Sequence, residues 1–313
     1  MNQEQATPEQ VTAPPPPRVS VIVVNWNRRD DVVDCIHSLG EQTGVTFEII
    51  VVDNGSTDGS TDVLERMEHV RLLVMGNNVG PAKARNVGAH RARGEYYLFL
   101  DSDAFLEPDA LSKLVERMDS ETDIGVIGCK IMNYHSGDID QWIYPQAYKT
   151  HGHVEFDTYS FSAAAALVRG SAFDQVDGFW EDLFIYNEEV DLSIRVIRSG
   201  SRVIYYPEVQ ARHRVSPDGR TPGTAYFYYQ ARNWIWIFYR YYPAFHRWWK
   251  VFVYANVYMF KGLLSGHPVA CIQGLWDGIT RMSIISRYRD KLTAAQVATI
   301  ESLNRRASVK IGR

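Results

Sequence analysis

The sequence predicts an α/β fold, a mostly parallel central sheet flanked by helices, with a C-terminal helical, aromatic-rich extension. Three observations predict it. From residue 19 onward short apolar runs alternate with stretches of helical period. The runs are near-continuous, as in strands buried on both faces. After residue 225 the texture changes, and aromatic and basic residues dominate. At 313 residues, 45% hydrophobic and 22% charged, the chain has room for one large domain with an appendage, or for two domains.

Residues 1–18 carry Gln, Glu, Thr and Pro, end in "TAPPPPR" and hold no apolar run. They are expected to be a disordered leader with no secretory signal. "VSVIVVNW" (19–26), "FEIIVVDN" (47–54), "RLLVMG" (71–76) and "EYYLFLD" (95–101) are the expected strands. Between them Val32, Val33, Ile36 and Leu39 recur at helical spacing, then Val63, Leu64 and Met67. Leu111, Leu114, Val115 and Met118 follow "EPDA", a helix start. This βαβα order implies parallel strands whose carboxyl ends border one crevice. Asp53, Asp101 and Asp103 fall at such ends.

Alternate residues of an extended chain share a face, so Asp101 and Asp103 point the same way. Two like charges that close repel unless water or a cation intervenes. The loop "DNGSTDGSTDVLE" has oxygen side chains spaced nearly as in an EF-hand, but a strand precedes it where a helix is required. A strand-to-helix turn capped by Ser60 or Thr61 is the better reading of Ser56 to Asp62. In "FIYNEEVDLSIRVIRSG" a helix opens at Asn187, with Glu188, Glu189 and Asp191 in its first turn. Its apolar stripe is Val190, Ile194 and Ile197. A net charge of −4 gives no reason to expect nucleic acid. Cys35, Cys129 and Cys271 are odd in number with no CxxC pair, which fits reduced thiols in the cytoplasm.

Five stretches in order, "VSVIVVNWN", "IIVVDNGSTDGS", "NNVGPAKARNVG", "YLFLDSDAFLEPDAL" and "GFWEDLFIYNEEVDLSIR", resemble the family-2 glycosyltransferases of GT-A fold, with the texture of the bacterial rhamnosyltransferase-like branch. The resemblance covers residues 19 to about 215. It implies a GT-A catalytic domain over 19–215 and an inverting, metal-dependent transfer of sugar from a nucleotide-sugar, dTDP-rhamnose or a UDP-hexose. It implies Asp53 as the acceptor of a base imide N–H, and Asn25, Asn78, Arg85, Asn86, Asp101 and Ser102 as further nucleotide-sugar contacts. Asp101, Asp103 and His213 would hold Mg²⁺ or Mn²⁺. Where the family has "ED", this chain has Glu188 and Glu189, which makes Glu189 the expected general base, with Glu188 and Asp191 as fallbacks. The helix N-terminus is expected to keep that base ionised.

Residues 216–313 are the expected helical region. From Tyr226 to Trp276 there are five Trp, eight Tyr and five cations, Arg232, Arg240, Arg247, Lys250 and Lys261, and no Asp or Glu. The combination suits a membrane interface, although no charge-free run reaches the ~20 residues of a span. It also suits a subdomain packed on the catalytic domain or at a homodimer interface. The functional expectation is glycosyl transfer to a saccharide or lipid-linked saccharide in cell-surface polysaccharide synthesis, at the inner face of the membrane. Two other classes fit parts of the pattern: a sugar-nucleotide pyrophosphorylase and a non-catalytic sugar-nucleotide-binding scaffold. The first is expected to carry a Gly-rich phosphate loop after its first strand, and "VVNWNRRDD" has no Gly.

Overall fold

The computed structural model describes residues 16–214 and 222–305. Most of the expected leader therefore lies outside the described residues. The expected strands form: β1 (Val19–Asn25), β2 (Phe47–Asp53), β3 (Val70–Val74) and β4 (Tyr96–Asp101). The helices between them are α1 (Arg29–Leu39), α2 (Ser60–Leu64) and α3 (Pro81–Ala89). The apolar spacing that suggested a helix through Met67 overshoots. α2 stops at Leu64, and Met67 packs on the core from a turn.

The chain continues through β5 (Ala104–Leu106), α4 (Ala110–Ser120), β6 (Ile124–Asn133), β7 (Ile139–Gln141), α5 (Tyr148–His151), β8 (Phe156–Asp157), β9 (Ala165–Arg169), α6 (Gly170–Gln175), α7 (Glu188–Arg198) and β10 (Arg202–His213). The sheet runs β3-β2-β1-β4-β9-β6-β10-β5. Its first four strands are parallel, β9 enters antiparallel between β4 and β6, and β6 and β10 are again parallel. Most paired residues thus lie in parallel ladders. β1 takes β2 on one side and β4 on the other, so the order reverses at β1 and a crevice opens beyond the carboxyl ends.

Wholly buried residues such as Val21, Val23, Leu98 and Leu100 fill one face of the sheet, and Ile22, Phe99 and Phe173 the other. That two-sided burial is why the strand runs read as continuous rather than alternating.

The C-terminal region is helical, as expected: α8 (Gly223–Tyr241), α9 (Ala244–Leu264), α10 (Pro268–Thr280), α11 (Met282–Ile285) and α12 (Ala294–Arg305). Pro243 and Pro268 mark its joints. A third core joins it to the sheet domain: Trp180, Leu183, Val190 and Ile194 pack with Ile235, Trp236 and Tyr241. No helix among the described residues is long and apolar enough to cross a membrane.

Candidate active site

Register builds the site. Parallel pairing sets Asn25 beside Asp53 and Val24 beside Asp101, so β1, β2 and β4 end together. Two residues on, the antiparallel pairing of β5 with β10 sets Ala104 opposite His213, which carries the imidazole to Asp103. His213 Nε2 lies 3.1 Å from Asp103 Oδ1, and its Nδ1 lies 2.7 Å from Asp140 Oδ2. Asp101, Asp103 and His213 offer ligand atoms within 4.8 Å of one another.

The cleft above them has a volume of about 410 Å³. One wall comes from the end of β1 and the turn after it, through Trp26 and Arg28, whose guanidinium pairs with Asp103. A second wall is the start of α3. There Asn78 accepts from Asn54 Nδ2 at 3.1 Å and from Gly80 N–H at 2.9 Å, and Arg85 points inward. Ser102 lines the floor. The third wall is the segment Phe184–Asn187, where Phe184, Tyr186 and Asn187 have φ of 63°, 67° and 67°. Three left-handed non-glycine residues in four are a strained backbone that needs outside support.

That support comes from α8. Asn233 Nδ2 donates to the carbonyls of Leu183, Ile185 and Tyr186 at 3.0, 2.9 and 2.8 Å. Arg232 Nη2 donates to the carbonyls of Asp182 and Leu183 at 3.0 and 2.9 Å. Neither residue carries a motif signal in the sequence.

Arg85 is buried and bridges two carboxylates: Nη2 to Asp101 Oδ1 at 3.1 Å and Nη1 to Glu188 Oε1 at 3.0 Å. Glu188 is only 2% exposed, whereas Glu189 is half-buried at the cleft and accepts the Ala163 N–H. Burial raises both carboxyls above the ordinary range; their mutual charge adds to this at Glu188, and Arg85 opposes it at both. Desolvation thus works against the ionisation that the helix N-terminus was expected to maintain, and Arg85 works with it. At His213 burial lowers the pKa, but the hydrogen bond and charge of Asp103, with Asp101 and Asp140, push it up to about 9.

Four expected site residues lie elsewhere. Asp191 is wholly buried beneath α7, where Oδ2 accepts from Arg195 at 2.9 and 2.5 Å and Oδ1 from Arg240 and Tyr241 at 3.1 and 2.5 Å. A carboxylate so enclosed cannot reach an acceptor, which removes it from the candidate bases. Asn86 turns from the cleft, donating to the Phe179 carbonyl and accepting the Phe179 N–H, each at 2.8 Å. Asp53 is wholly buried, with Oδ1 accepting the Ser56 N–H at 2.9 Å and Oδ2 accepting from Asn25 at 3.1 Å. Asp53 and Asn25 therefore hold the β2 turn, and Asn54 takes the place on the cleft wall that was expected of Asp53.

The donor set fits a divalent cation. Two carboxylates and an imidazole suit Mn²⁺, with Mg²⁺ served by the carboxylates alone. Asp140 engages Nδ1 and leaves Nε2 toward the carboxylates, the arrangement that orients a ligating histidine.

The sequence profile of glycosyl transferase family 2 matches residues 20–177, just over half of the chain. Succinoglycan biosynthesis protein ExoO of Rhizobium meliloti is 39% identical over 106 residues, 33% of this chain and 30% of that protein. The chain spans 53% or less of the length of the curated relatives it matches. Among solved structures, S. aureus TarS 1–349 in complex with UDP-GlcNAc superposes with a TM-score of 0.60 at 20% identity, covering 91% of each chain. The mannosyltransferase PcManGT from Pyrobaculum calidifontis, in complex with GDP-Man and Mn²⁺, gives 0.57 at 18% identity, covering 92% of this chain and 84% of that one. These likenesses show the fold.

Proposed function

Since the chain belongs to glycosyl transferase family 2, we propose that it moves a sugar from a nucleotide-sugar to a saccharide acceptor with inversion at the anomeric carbon. The observation that carries this reading is one cleft holding the Asp101–Asp103–His213 cluster beside the Arg85-linked pair Glu188 and Glu189. The cluster suits a nucleoside diphosphate leaving group and the pair suits a general base.

Glu189 is the base. It lines the cleft and has no ion pair among the described residues, whereas Glu188 is fixed by Arg85. It takes the proton of an acceptor hydroxyl as that oxygen attacks the anomeric carbon opposite the diphosphate. Glu188 and Arg85 hold the start of α7 against the metal carboxylate Asp101, so base and leaving-group site keep a fixed separation. Asp103, His213 and Asp101 would hold Mn²⁺ or Mg²⁺. When bound, the ion supplies charge neutralisation for the departing diphosphate. Arg28 adds a cation on the same side. Trp26 and Tyr186 both line the cleft and bring aromatic surface suited to a base and a sugar.

The donor is assigned to dTDP-rhamnose or a UDP-hexose on the branch resemblance. The acceptor is assigned to a lipid-linked saccharide at the cytoplasmic membrane face, which the acid-free aromatic region supports. A relative named for succinoglycan biosynthesis fits a polysaccharide product.

Hydrolysis of a panel of nucleotide-sugars with Mn²⁺ or Mg²⁺, without acceptor, tests the reading. Metal-dependent release of nucleoside diphosphate from one donor class is expected. Donor binding without turnover, with or without acceptors, would return the scaffold, and pyrophosphate release from sugar phosphate and NTP the pyrophosphorylase.

A further inference from the structure

α9 and α10 are amphipathic in the reverse of the usual sense. A surface helix normally turns its large apolar side chains inward. Here α10 lays Ala270, Cys271, Gly274 and Gly278 against the protein. A Cβ at Gly274 would stand 2.2 Å from the Tyr228 carbonyl oxygen, so α10 sits against α8 at backbone distance. Its outward side carries Val269, Ile272, Trp276 and Ile279, at helical spacing. α9 does the same with Phe245, Trp249, Phe252, Phe260 and Leu264. Of seventeen exposed large hydrophobic residues among those described, thirteen lie between Phe245 and Ile284. Phe245 is 85% exposed, Leu264 74%, Trp276 69% and Trp249 63%. A patch of this extent on one face has a partner.

Charge identifies the partner's chemistry. The cations expected to meet lipid mostly do not: Arg240 pairs with Asp191, Arg247 is buried against Tyr239 and Trp248, and Lys250 pairs with Glu301. Arg281 pairs with Asp277, the one acid of α10. Among the described residues of this region, the exposed cations outside an ion pair are Lys261 on α9 and Arg287 and Lys291 beyond α10. Residues 226–276 contain no acid. A second copy facing this patch through a two-fold axis would set these cations against their own images. An anionic leaflet accepts both the cations and the apolar side chains. Since neither helix can span a bilayer, the fitting arrangement is parallel to its plane.

We propose that the outer faces of α9 and α10 form a membrane-binding surface that enters the headgroup–acyl boundary of an anionic bilayer through Trp248, Trp249, Phe252, Phe260 and Trp276. Attachment is mainly apolar, with Lys261, Arg287 and Lys291 adding a salt-sensitive part. The inference rests on these two helices, independently of the donor and acceptor reading.

Flotation of the full chain with phosphatidylcholine vesicles, with and without phosphatidylglycerol, tests it. The protein should float with both and more with the anionic mixture. In about 1 M NaCl, where screening acts within about 3 Å, the anionic advantage should vanish while attachment persists. Trp249→Ser and Trp276→Ser should each weaken partitioning by about tenfold or more, with unchanged melting temperature and unchanged hydrolysis of donor by water. In the wild type, brominated lipid should quench Trp fluorescence, a readout independent of any variant. Protein left at the bottom of both gradients, without quenching, overturns the proposal. So does a lipid-free dimer in sedimentation that Trp249→Ser or Trp276→Ser dissociates, since the patch then belongs to a second copy. Loss of hydrolysis with flotation intact would count against the catalytic reading alone.

Discussion

Glu188 and Glu189 are neighbours in sequence, yet their surroundings give them different work. Both line the cleft, but Glu188 is almost wholly buried and bound to Arg85, while Glu189 is half-buried. Glu189→Gln keeps the shape and cannot take a proton, so transfer should fall by about 10² to 10⁴ with donor binding retained. Steady-state kinetics beside calorimetry reads both quantities. Because burial raises the Glu189 carboxyl, the acid limb of the wild-type profile should lie above the ordinary carboxylate range, with activity lost as pH falls through it. The stability sign is opposite. A carboxyl raised in the folded state binds its proton more tightly there than in the unfolded chain. Its stability contribution is complete below the unfolded value, about 4.3, and is lost as pH rises through the folded value. Glu188→Gln should therefore melt higher than wild type at pH ~8, with the gain shrinking toward pH ~5. Thermal scans that show a lower melting temperature at both values would refute this. At the metal cluster, Asp103→Asn keeps contacts for Arg28 and His213 but offers one neutral oxygen. Calorimetry with the nucleoside diphosphate should lose its dependence on Mn²⁺, and an unchanged metal response would remove Asp103 from the site.

At the scale of elements, the catalytic helix depends on a loop that α8 holds in place. Asn233 donates through one amide nitrogen to three carbonyls of a segment with three positive φ values. Asn233→Leu removes this donor from the carbonyls of Ile185 and Tyr186, while Leu183 keeps Arg232, a loss of about 2 kcal/mol. It also frees Glu189 to drift, so kcat should fall by about tenfold to a hundredfold. Donor KM should change less than kcat, because Asp101, Asp103 and Arg85 stand on other elements and Tyr186 is the one proposed donor contact on the loop. A fall in melting temperature with kcat intact would make Asn233 structural only. The same loop marks where sequence reading ends. Asp101 and Asp103 were legible because a two-residue period at a strand end has one geometric meaning, and α7 because Asn187 and three acids announce a helix start. Asp53, Asn86 and Asp191 turn from the cleft here, which the resemblance and the acidic first turn could not foretell, because position in the chain does not name the partner that a side chain meets. Asp191 meets two arginines from distant or later positions, and Asn86 meets a backbone 93 residues away. Trp26, Arg28 and Tyr186 escaped notice because their placement follows from turns whose left-handed residues, Asn27 and Tyr186 among them, are not glycine.

For the whole molecule, the sequence suggested a boundary near residue 215 between a catalytic domain and an appended helical region. Contacts across that boundary argue for one cooperative unit. Asp191 on α7 is tied to Arg240 and Tyr241 on α8, and the shared core sets Trp180 against Trp236 and Val190 and Ile194 beside Ile235 and Tyr241. Separation would uncover these side chains and leave Asp191 and Arg195 short of a partner. Asp191→Asn would leave Arg195 and Arg240 buried beside a neutral group, a destabilisation of about 3–5 kcal/mol against a typical total of about 5–15. Calorimetry of the full chain should therefore show a single transition, moved down many degrees by Asp191→Asn. A fragment ending at residue 214 should aggregate instead of yielding a folded donor-binding domain. Two resolved transitions, the first abolished by deleting residues 222–305 while donor binding survives, would establish the boundary as one between independent domains and leave α8 a docked support that the catalytic fold can do without.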